Sequence, residues 1–387
     1  MNEIEKMIES LCPDGVEFRE LRDICTPLRK ATLKVSELLE DGEYPVINSG
    51  RNLYGYYNKY NNEGNALIVA ARGEYAGFIN YIDTKFWAGG LCYPYRSRDE
   101  KMLLTKFVYY ILKVNEIDIM EKLVSRGSIP ALNKSDLDLF KVPVPPLEIQ
   151  QKIVKVLDIF TELEATLEAE LTARKQQYEY YRNNLLTFDN GDSHPLKKYL
   201  EELCSQGVPC KILPEISVNL DRIRKPISSS KRVKGEYPYY GASGIVDFVE
   251  HYIFDGDYLL ISEDGANLLA RSTPIAFSIS GKNWVNNHAH IIEFRNDVTR
   301  KFVEYYINSI DISKFISGGA QPKLNQENLN KIEIPFPPLE IQQMIVDILD
   351  KFDKLVNDLT TGLPAEINAR RQQYEYYRNT LLTFKER

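Results

Sequence analysis

At 387 residues, with 27% charged and 43% hydrophobic positions, the chain is too apolar for wholesale disorder and long enough to bury two or three cores. Its formal net charge of -7 excludes a surface coated in cations, so contact with a polyanion would have to come from local patches. No apolar run approaches the roughly 20 residues that span a bilayer, and the N-terminal MNEIEKMIESLCPDG lacks the basic start and apolar centre of a secretion signal, so the cytoplasm is the expected compartment.

In chain order, residues 1–142 read as a first head of mixed α and β elements. Short β-type runs such as NALIVAARG from Asn65 are bounded by asparagine and glycine, and KFVYYILKV from Lys106 has helical periodicity. After the double proline Pro145-Pro146, apolar residues fall at Ile149, Ile153, Val156, Phe160, Leu163, Leu167, Leu171, Tyr178, Tyr181, Leu185 and Phe188, largely in steps of three and four. That stripe predicts one long helical stem over 143–190 with a coiled-coil-like seam, stopped at Asp189-Asn190-Gly191. A second head over 191–334 carries DYLLISEDG from Asp257 and KFVEYYINSI from Lys301, and a second helical stem fills 335–387. Five cysteines, Cys12, Cys25, Cys92, Cys204 and Cys210, show no CxxC spacing and read as reduced, mostly buried thiols.

The chain repeats itself. VPVPPLEIQQKIVKVLDIF from Val142 answers to IPFPPLEIQQMIVDILDKF from Ile334, and ARKQQYEYYRNNLLTF from Ala173 to ARRQQYEYYRNTLLTF from Ala369. LCPDGVEFRELRDI from Leu11, EYPVINSG from Glu43 and GSIPALNKSDL from Gly127 have counterparts from Leu203, Glu236 and Gly319. A tandem repeat with dissimilar heads on matched stems implies two different things read by one frame. The stems are expected to pack antiparallel on each other; the alternative is that each lies on its own head. The outer face of QQYEYYRN either docks another protein or is solvated beside a seam of Tyr178 and Tyr181. The copies keep an offset of 192 up to Leu167 and Leu359, and of 196 from Glu170 and Glu366, so the second stem holds four extra residues. Gly362 and Pro364 within them predict a break, with a new helix starting near Pro364.

Two stretches carry the candidate site. In DRIRKPISSSKRVK of the second head, Arg222, Arg224, Lys225, Lys231, Arg232 and Lys234 stand against the single acid Asp221, net +5 in fourteen residues. The first head offers Tyr54, Tyr56, Tyr57, Asn58 and Lys59, with Lys30, Arg72 and Arg126. Cations neutralise phosphates, and arginine, asparagine and tyrosine read base edges or stack on them, so such loops fit DNA; solvated loops without a partner are the alternative. No nucleotide-cradling GxxxxGK[ST], no GxGxxG after a strand and no Asn-Pro-Pro-aromatic motif occurs, and Pro13-Asp14 with Glu17 is too compact for a nuclease centre. His288 and His290 of NWVNNHAHII project from one side of a strand and could ligate a metal, but Leu91 and Tyr93 hold the aligned first-copy positions, which favours a structural or DNA-proximal role. No catalytic residue, metal or cofactor is therefore expected.

The repeated PPLEIQQ, the ARxQQYEYYRNxLLTF helix end and the GxxPxLN stretch before each stem resemble, over essentially the whole chain, the specificity subunits of Type I restriction-modification systems. The resemblance implies an α+β chain with two mixed α/β target-recognition domains in pseudo-twofold symmetry, joined by two long helices that form an antiparallel coiled coil. It implies that each head reads one half of a bipartite double-stranded DNA site and that the stems set the spacing. It also implies that two methyltransferase subunits, which bind S-adenosylmethionine, are recruited, and that ATP-dependent restriction and translocase subunits join the assembly. The chain itself would be non-catalytic. A two-headed protein-binding scaffold is the rival reading; the recognition part of a single-chain methyltransferase-nuclease is disfavoured, because such chains carry their catalytic motifs with them.

Overall fold

A computed structural model of the chain describes residues 3–188, 193–319 and 321–387; the expected helix stop at Asp189-Asn190-Gly191 lies outside them. The chain divides into two compact units, Met1–Glu168 with Glu366–Arg387, and Ala169–Ala365. Each unit thus holds one head and pieces of both stems.

In the first unit, strands Cys25–Pro27, Cys92–Ser97, Ala66–Ala70 and Ile79–Ile82 lie side by side in that order, and Gly55–Tyr57, Tyr44–Ile47 and Trp87–Ala88 form a second sheet. Ala66–Ala70 is buried along its whole length, which is why ALIVA is a continuous apolar run and not an alternation. Helix Thr105–Val114 covers this sheet with Phe107, Val108, Ile111 and Leu112. Ile149, Ile153 and Leu157, at the start of the stem, complete the same core. The second unit repeats the plan: Ser217–Asn219, Ala289–Phe294, Tyr258–Ser262 and Ala276–Ile279 form one sheet, and Gly244–Val249, Lys234–Gly241, Lys282–Val285 and Phe254–Asp255 the other. Helix Asp297–Ser309 and the buried Ile341, Ile345 and Leu349 close its core.

The repeated PPLEIQQ phrase explains how stem and head lock together. Gln150 is fully buried; its Nε2 donates to the carbonyls of Pro145 at 2.7 Å and Met102 at 2.9 Å, and its Oε1 accepts from the Leu104 N–H at 2.9 Å. Gln342 does the same in the second unit, donating to the Pro337 carbonyl at 2.7 Å and accepting from the Thr299 hydroxyl at 2.9 Å. A buried amide is tolerated only when satisfied, so each glutamine fixes one register between the helix start and its head. About two turns further, the Tyr110 hydroxyl donates to Asp158 at 2.6 Å and Tyr305 to Asp350 at 2.5 Å.

The first stem is one helix of 40 residues, Leu147–Leu186, or roughly 60 Å at 1.5 Å per residue. Within the first unit it runs antiparallel to helix Leu363–Leu381: Phe160 stacks on Tyr377 with centroids 5.5 Å apart, and Glu164 pairs with Arg371 at 2.5 Å. Within the second unit its later part lies against helix Leu339–Asn357, where Tyr181 stacks on Phe352 at 5.4 Å. In each unit the QQYEYYRN phrase of one copy therefore meets the PPLEIQQ helix of the other, which is why both phrases are written twice. The stem starts also pack on their own heads, so both expected packings hold, at different positions. The seam is not buried throughout: Leu163 is 37% exposed.

The second stem breaks as its sequence predicts, between Asn357 and Leu363. Asp358 closes the first segment by accepting from the Thr360 hydroxyl at 2.6 Å and the Thr360 N–H at 2.7 Å. Hydrogen bonds from Thr360 and Thr361 hold its carboxyl well below the usual range. A Cβ on Gly362 would stand 2.5 Å from the Lys354 carbonyl, so only glycine fits this return. Of the thiols, Cys25 and Cys92 are buried, and burial pushes each up to about 12. Cys12 and Cys204 are half-buried and Cys210 exposed, which corrects the expectation of mostly buried thiols: those three lie on the small connecting elements outside the main sheets. Among the described residues, no helix is long and apolar enough to cross a membrane.

Candidate nucleic-acid interface

The chain's two tryptophans occupy equivalent places in the two heads. Val46 pairs with Trp87 and Ile47 with Ala88, as Tyr239 pairs with Trp284 and Tyr240 with Val285. Each indole N–H ties down a loop that carries candidate cations, donating to the carbonyl of Ala31, next to Lys30, at 3.0 Å in the first head and to the Lys225 carbonyl at 2.5 Å in the second. After each tryptophan strand comes a turn, Gly89-Gly90-Leu91 in one head and Asn286-Asn287-His288 in the other.

An asparagine holds this turn in both heads, but from opposite sides. In the first head Asn48 Oδ1, from the facing strand end, accepts from the Leu91 N–H at 2.9 Å. A Cβ on Gly89 would come within 2.6 Å of that oxygen. In the second head Asn286, on the turn itself, accepts from the His288 N–H at 2.8 Å, and the facing position is Gly241. Asparagine and glycine have exchanged sides while the accepted N–H stays the same.

The GxxPxLN phrase is the second shared fixture. It docks on the loop after the central strand: Gly73 N–H donates to Pro130 and Leu132 N–H to Ala71, both at 2.9 Å, as Gly265 N–H donates to Pro322 at 3.1 Å and Leu324 N–H to Glu263 at 2.8 Å. A side chain from the neighbouring strand grips the same carbonyl in each head. Tyr93 donates its hydroxyl to the Leu132 carbonyl at 3.1 Å, and His290 Nε2 lies 2.7 Å from the Leu324 carbonyl.

Around His290 the second head carries a buried charge cluster. Its Nδ1 lies 2.6 Å from Asp221 Oδ2, so both ring nitrogens face acceptors and both contacts are hydrogen bonds only in the doubly protonated ring. Arg224 Nη1 lies 2.8 Å from Glu263 and 2.6 Å from the Ala289 carbonyl, its Nη2 is 3.3 Å from Asp221, and Lys323 reaches Glu263 at 3.1 Å. Burial alone would raise both carboxyls; His290, the Ile291 N–H and Arg224 outweigh it at Asp221, and Arg224, His290 and Lys323 outweigh it at Glu263, so each sits below its ordinary value. Asp221, Glu263 and His290 place three potential ligand atoms within 4.8 Å of one another. The residues do not fit a cation, since two cationic side chains already neutralise these carboxylates and both imidazole nitrogens are engaged. His288 faces a different acid, Asp264, so the two histidines do not share a site.

The structure sorts the candidate residues. Arg224 points into the cluster, with its side chain 11% exposed. Arg232 is half-buried, donating to the Ile227 carbonyl, paired with Asp247 at 3.3 Å and lying 4.5 Å over the Tyr239 ring. Arg222, Lys225, Lys231 and Lys234 are exposed. In the first head Tyr56 and Tyr57 are half-buried on an edge strand, with Tyr57 edge-on to Trp87 at 5.2 Å. Asn58 caps the Glu43 N–H at 3.2 Å, and Lys59, Arg72 and Arg126 are exposed. Arg72 bridges to Ala131, which pairs across the hairpin with Ser125, the residue just before Arg126, so these two arginines share one neighbourhood. Sequence reasoning missed the turn residues Asn286 and Asn287; the matching KFW and KNW phrases were the available signal.

A family model, the Type I restriction modification DNA specificity domain, matches residues 13–173 and again 216–369. The chain is 38% identical to a type I restriction enzyme specificity subunit of Haemophilus influenzae, with 98% of each chain covered. It is 28% identical to the EcoR124I/EcoR124II specificity subunit of Escherichia coli, over 99% of this chain and 97% of that one. The crystal structure of a Type I restriction-modification S subunit from M. genitalium shares its fold, with a TM-score of 0.70 at 20% identity over 95% of this chain and 96% of the other. A chain from a structural study of type I R-M complex assembly matches at a TM-score of 0.55 and 14% identity over 96% and 98%.

Proposed function

The chain belongs to the family of Type I restriction-modification DNA specificity subunits, and from that membership we propose how its parts divide the work. It is the DNA-selecting, non-catalytic subunit of such a system. Each head, 1–142 and 191–334, reads one half of a bipartite double-stranded site; the helical parts, 143–190 and 335–387, set the distance between halves and recruit two methyltransferase subunits, with restriction and translocase subunits joining that core in the cytoplasm.

The observation that carries this reading is the pairing of one hydrogen-bonded frame with dissimilar surface side chains. Both heads hold their turns and loops by hydrogen bonds at the same backbone positions, yet one presents Gly89-Gly90-Leu91 where the other presents Asn286-Asn287-His288. A reader of two unequal half-sites needs that combination. Arg222, Lys225, Lys231 and Lys234 supply the exposed cations of the second head, and Tyr56, Tyr57, Asn58, Lys59, Arg72 and Arg126 the contact residues of the first. Arg224 and Arg232 shape the loop from inside.

Binding of the chain with its methyltransferase subunits to DNA, followed against salt, tests the assignment. Replacing Arg222, Lys225, Lys231 and Lys234 by alanine removes up to four phosphate contacts and should flatten the slope of log affinity against log salt by about 0.9 for each. An unchanged slope would count against it, and methyl transfer by the highly purified chain alone would defeat the non-catalytic role.

A further inference from the structure

In the second head the turn after Trp284 is built to present polar side chains. Its backbone is fixed by the Asn286 side chain, which is 6% exposed. Asn287, next along, is exposed, and its amide has no hydrogen-bond partner among the described residues. The His288 ring is 49% exposed and has Nδ1 at 2.8 and 2.9 Å from the two oxygens of Asp264, a carboxylate itself only 16% exposed. Facing a carboxylate, Nδ1 carries the proton, which orients the ring, and Nε2 has no hydrogen-bond partner among the described residues. These residues line a cavity of about 730 Å³ together with Ile227, Lys231, Arg232 and Tyr239. A cation for phosphate and unsatisfied polar groups of base-reading type therefore converge on one concavity.

The first head offers the opposite surface at the same backbone positions. Gly90 bears no side chain, and a Cβ there would meet the Thr32 hydroxyl at 2.7 Å. Leu91 has no polar group and is 43% exposed. The turn is thus a place where the fold is constant and the recognition chemistry is not.

We propose that Asn287 and His288 are specificity-determining residues of the second head, reading base edges in its half-site while Lys231 neutralises a neighbouring phosphate. The proposal rests on the reading of the heads as DNA readers. The asparagine amide pairs a donor with an acceptor, the pattern that adenine shows in the major groove through N6 and N7. His288 adds one directed hydrogen bond at Nε2, which with the proton on Nδ1 accepts from a base amino group. Loss of one good amide–base pair relaxes discrimination about tenfold at that position.

The test uses the chain assembled with its methyltransferase subunits and a random-sequence DNA pool, with methylated sites read by sequencing. Asn287→Ala, an exposed and unpartnered position, keeps the fold; the double variant Asn287→Gly with His288→Leu installs the first head's residues, and thermal unfolding checks it. The expected result is a loss of about tenfold in base preference at one or two positions of one half-site, with the other half-site and the salt dependence unchanged. Unaltered preference in Asn287→Ala and in the folded double variant overturns the proposal. So does a uniform weakening at every site with a flatter salt slope, which would make this turn a phosphate contact. A wild-type complex that methylates no defined bipartite site would defeat the reading of the heads themselves, and this inference with it.

Discussion

The two heads close the same contact by opposite chemistry. In the first, Tyr93 holds the Leu132 carbonyl with a neutral hydroxyl, and the nearby cation, Lys30, donates to the carbonyls of Gly90 and Cys92 at 3.1 Å while lying 4.6 Å over the Tyr93 ring. In the second, His290 holds the Leu324 carbonyl from inside a cluster of two acids and two further cations. What is repeated is a hydrogen-bond position, not a residue. A head can change nearly all its surface chemistry while keeping such positions, but the charged solution depends on mutual neutralisation, because each buried charge is costly without its partners.

That asymmetry is open to breaking. Arg224→Ala leaves Glu263 and Asp221 short of a buried partner and should destabilise the second unit by about 3–5 kcal/mol. Tyr93→Phe in the first unit removes one neutral hydrogen bond and should lose about 1 kcal/mol. Each unit contains one tryptophan, so denaturant unfolding followed in Trp87→Phe and Trp284→Phe backgrounds reports the two losses separately. Equal losses would mean that the charged cluster is no more critical than the tyrosine.

Acid titration sharpens the same contrast. The carboxyls of Asp221 and Glu263 sit below their ordinary values of 3.8 and 4.5, so the folded unit binds fewer protons there than the unfolded chain. The stabilisation they provide is full above those ordinary values and is lost as pH falls through the lower folded ones. The groups facing them are Arg224, His290 and Lys323; in the first head the positions equivalent to Glu263 and His290 are Ala71 and Tyr93. Trp284 fluorescence should therefore report unfolding at a higher pH than Trp87 fluorescence; the reverse order would contradict the cluster's role.

These contrasts also show what a sequence discloses and what it hides. The stem was legible because a stripe in steps of three and four is local, and the break at Gly362-Leu363-Pro364 because glycine and proline act on their own backbone. The seam's exposed middle at Leu163 was not, since periodicity shows a face but not what covers it. Arg224 looked like a phosphate contact because its partner Glu263 lies 39 residues away and only the strand order brings them together. The asparagine–glycine exchange was hidden for a related reason: Asn48 with Gly89 and Gly241 with Asn286 align as unrelated pairs until the strands are laid beside each other.

Where the copies keep the same residue, they should also keep the same energy. Gln150→Ala and Gln342→Ala each strand buried backbone groups at a helix start, and each should lower the stability of its own unit by about 1–3 kcal/mol. The tryptophan in that unit reads the loss. Costs differing by more than twofold would mean that the repeated phrase serves the two heads unequally, with the extra contact of Gln150 to the Met102 carbonyl the first place to look.

The smallest effect on stability is expected where the stems differ most in length. The first stem passes without a break through Thr161–Leu171, TELEATLEAEL, with leucines at Leu163, Leu167 and Leu171. The second places its extra residues in the capped break between Asn357 and Leu363. An unbroken helix written in units of about four residues can take another unit and keep its stripe, because four residues make about 1.1 turns. Inserting LEAT after Leu167 lengthens the helix by roughly 6 Å, which at 3.4 Å per base pair is one or two base pairs. If the stem sets the distance between half-sites, the complex with the inserted chain should remain folded and methylate the same two half-sites with a gap longer by that amount. Sequencing of methylated DNA decides the matter. An active complex with an unchanged gap would remove the spacer role from this helix. Altered half-sites would show that the insertion reaches the heads, whose turns and loops are held by contacts inside their own units.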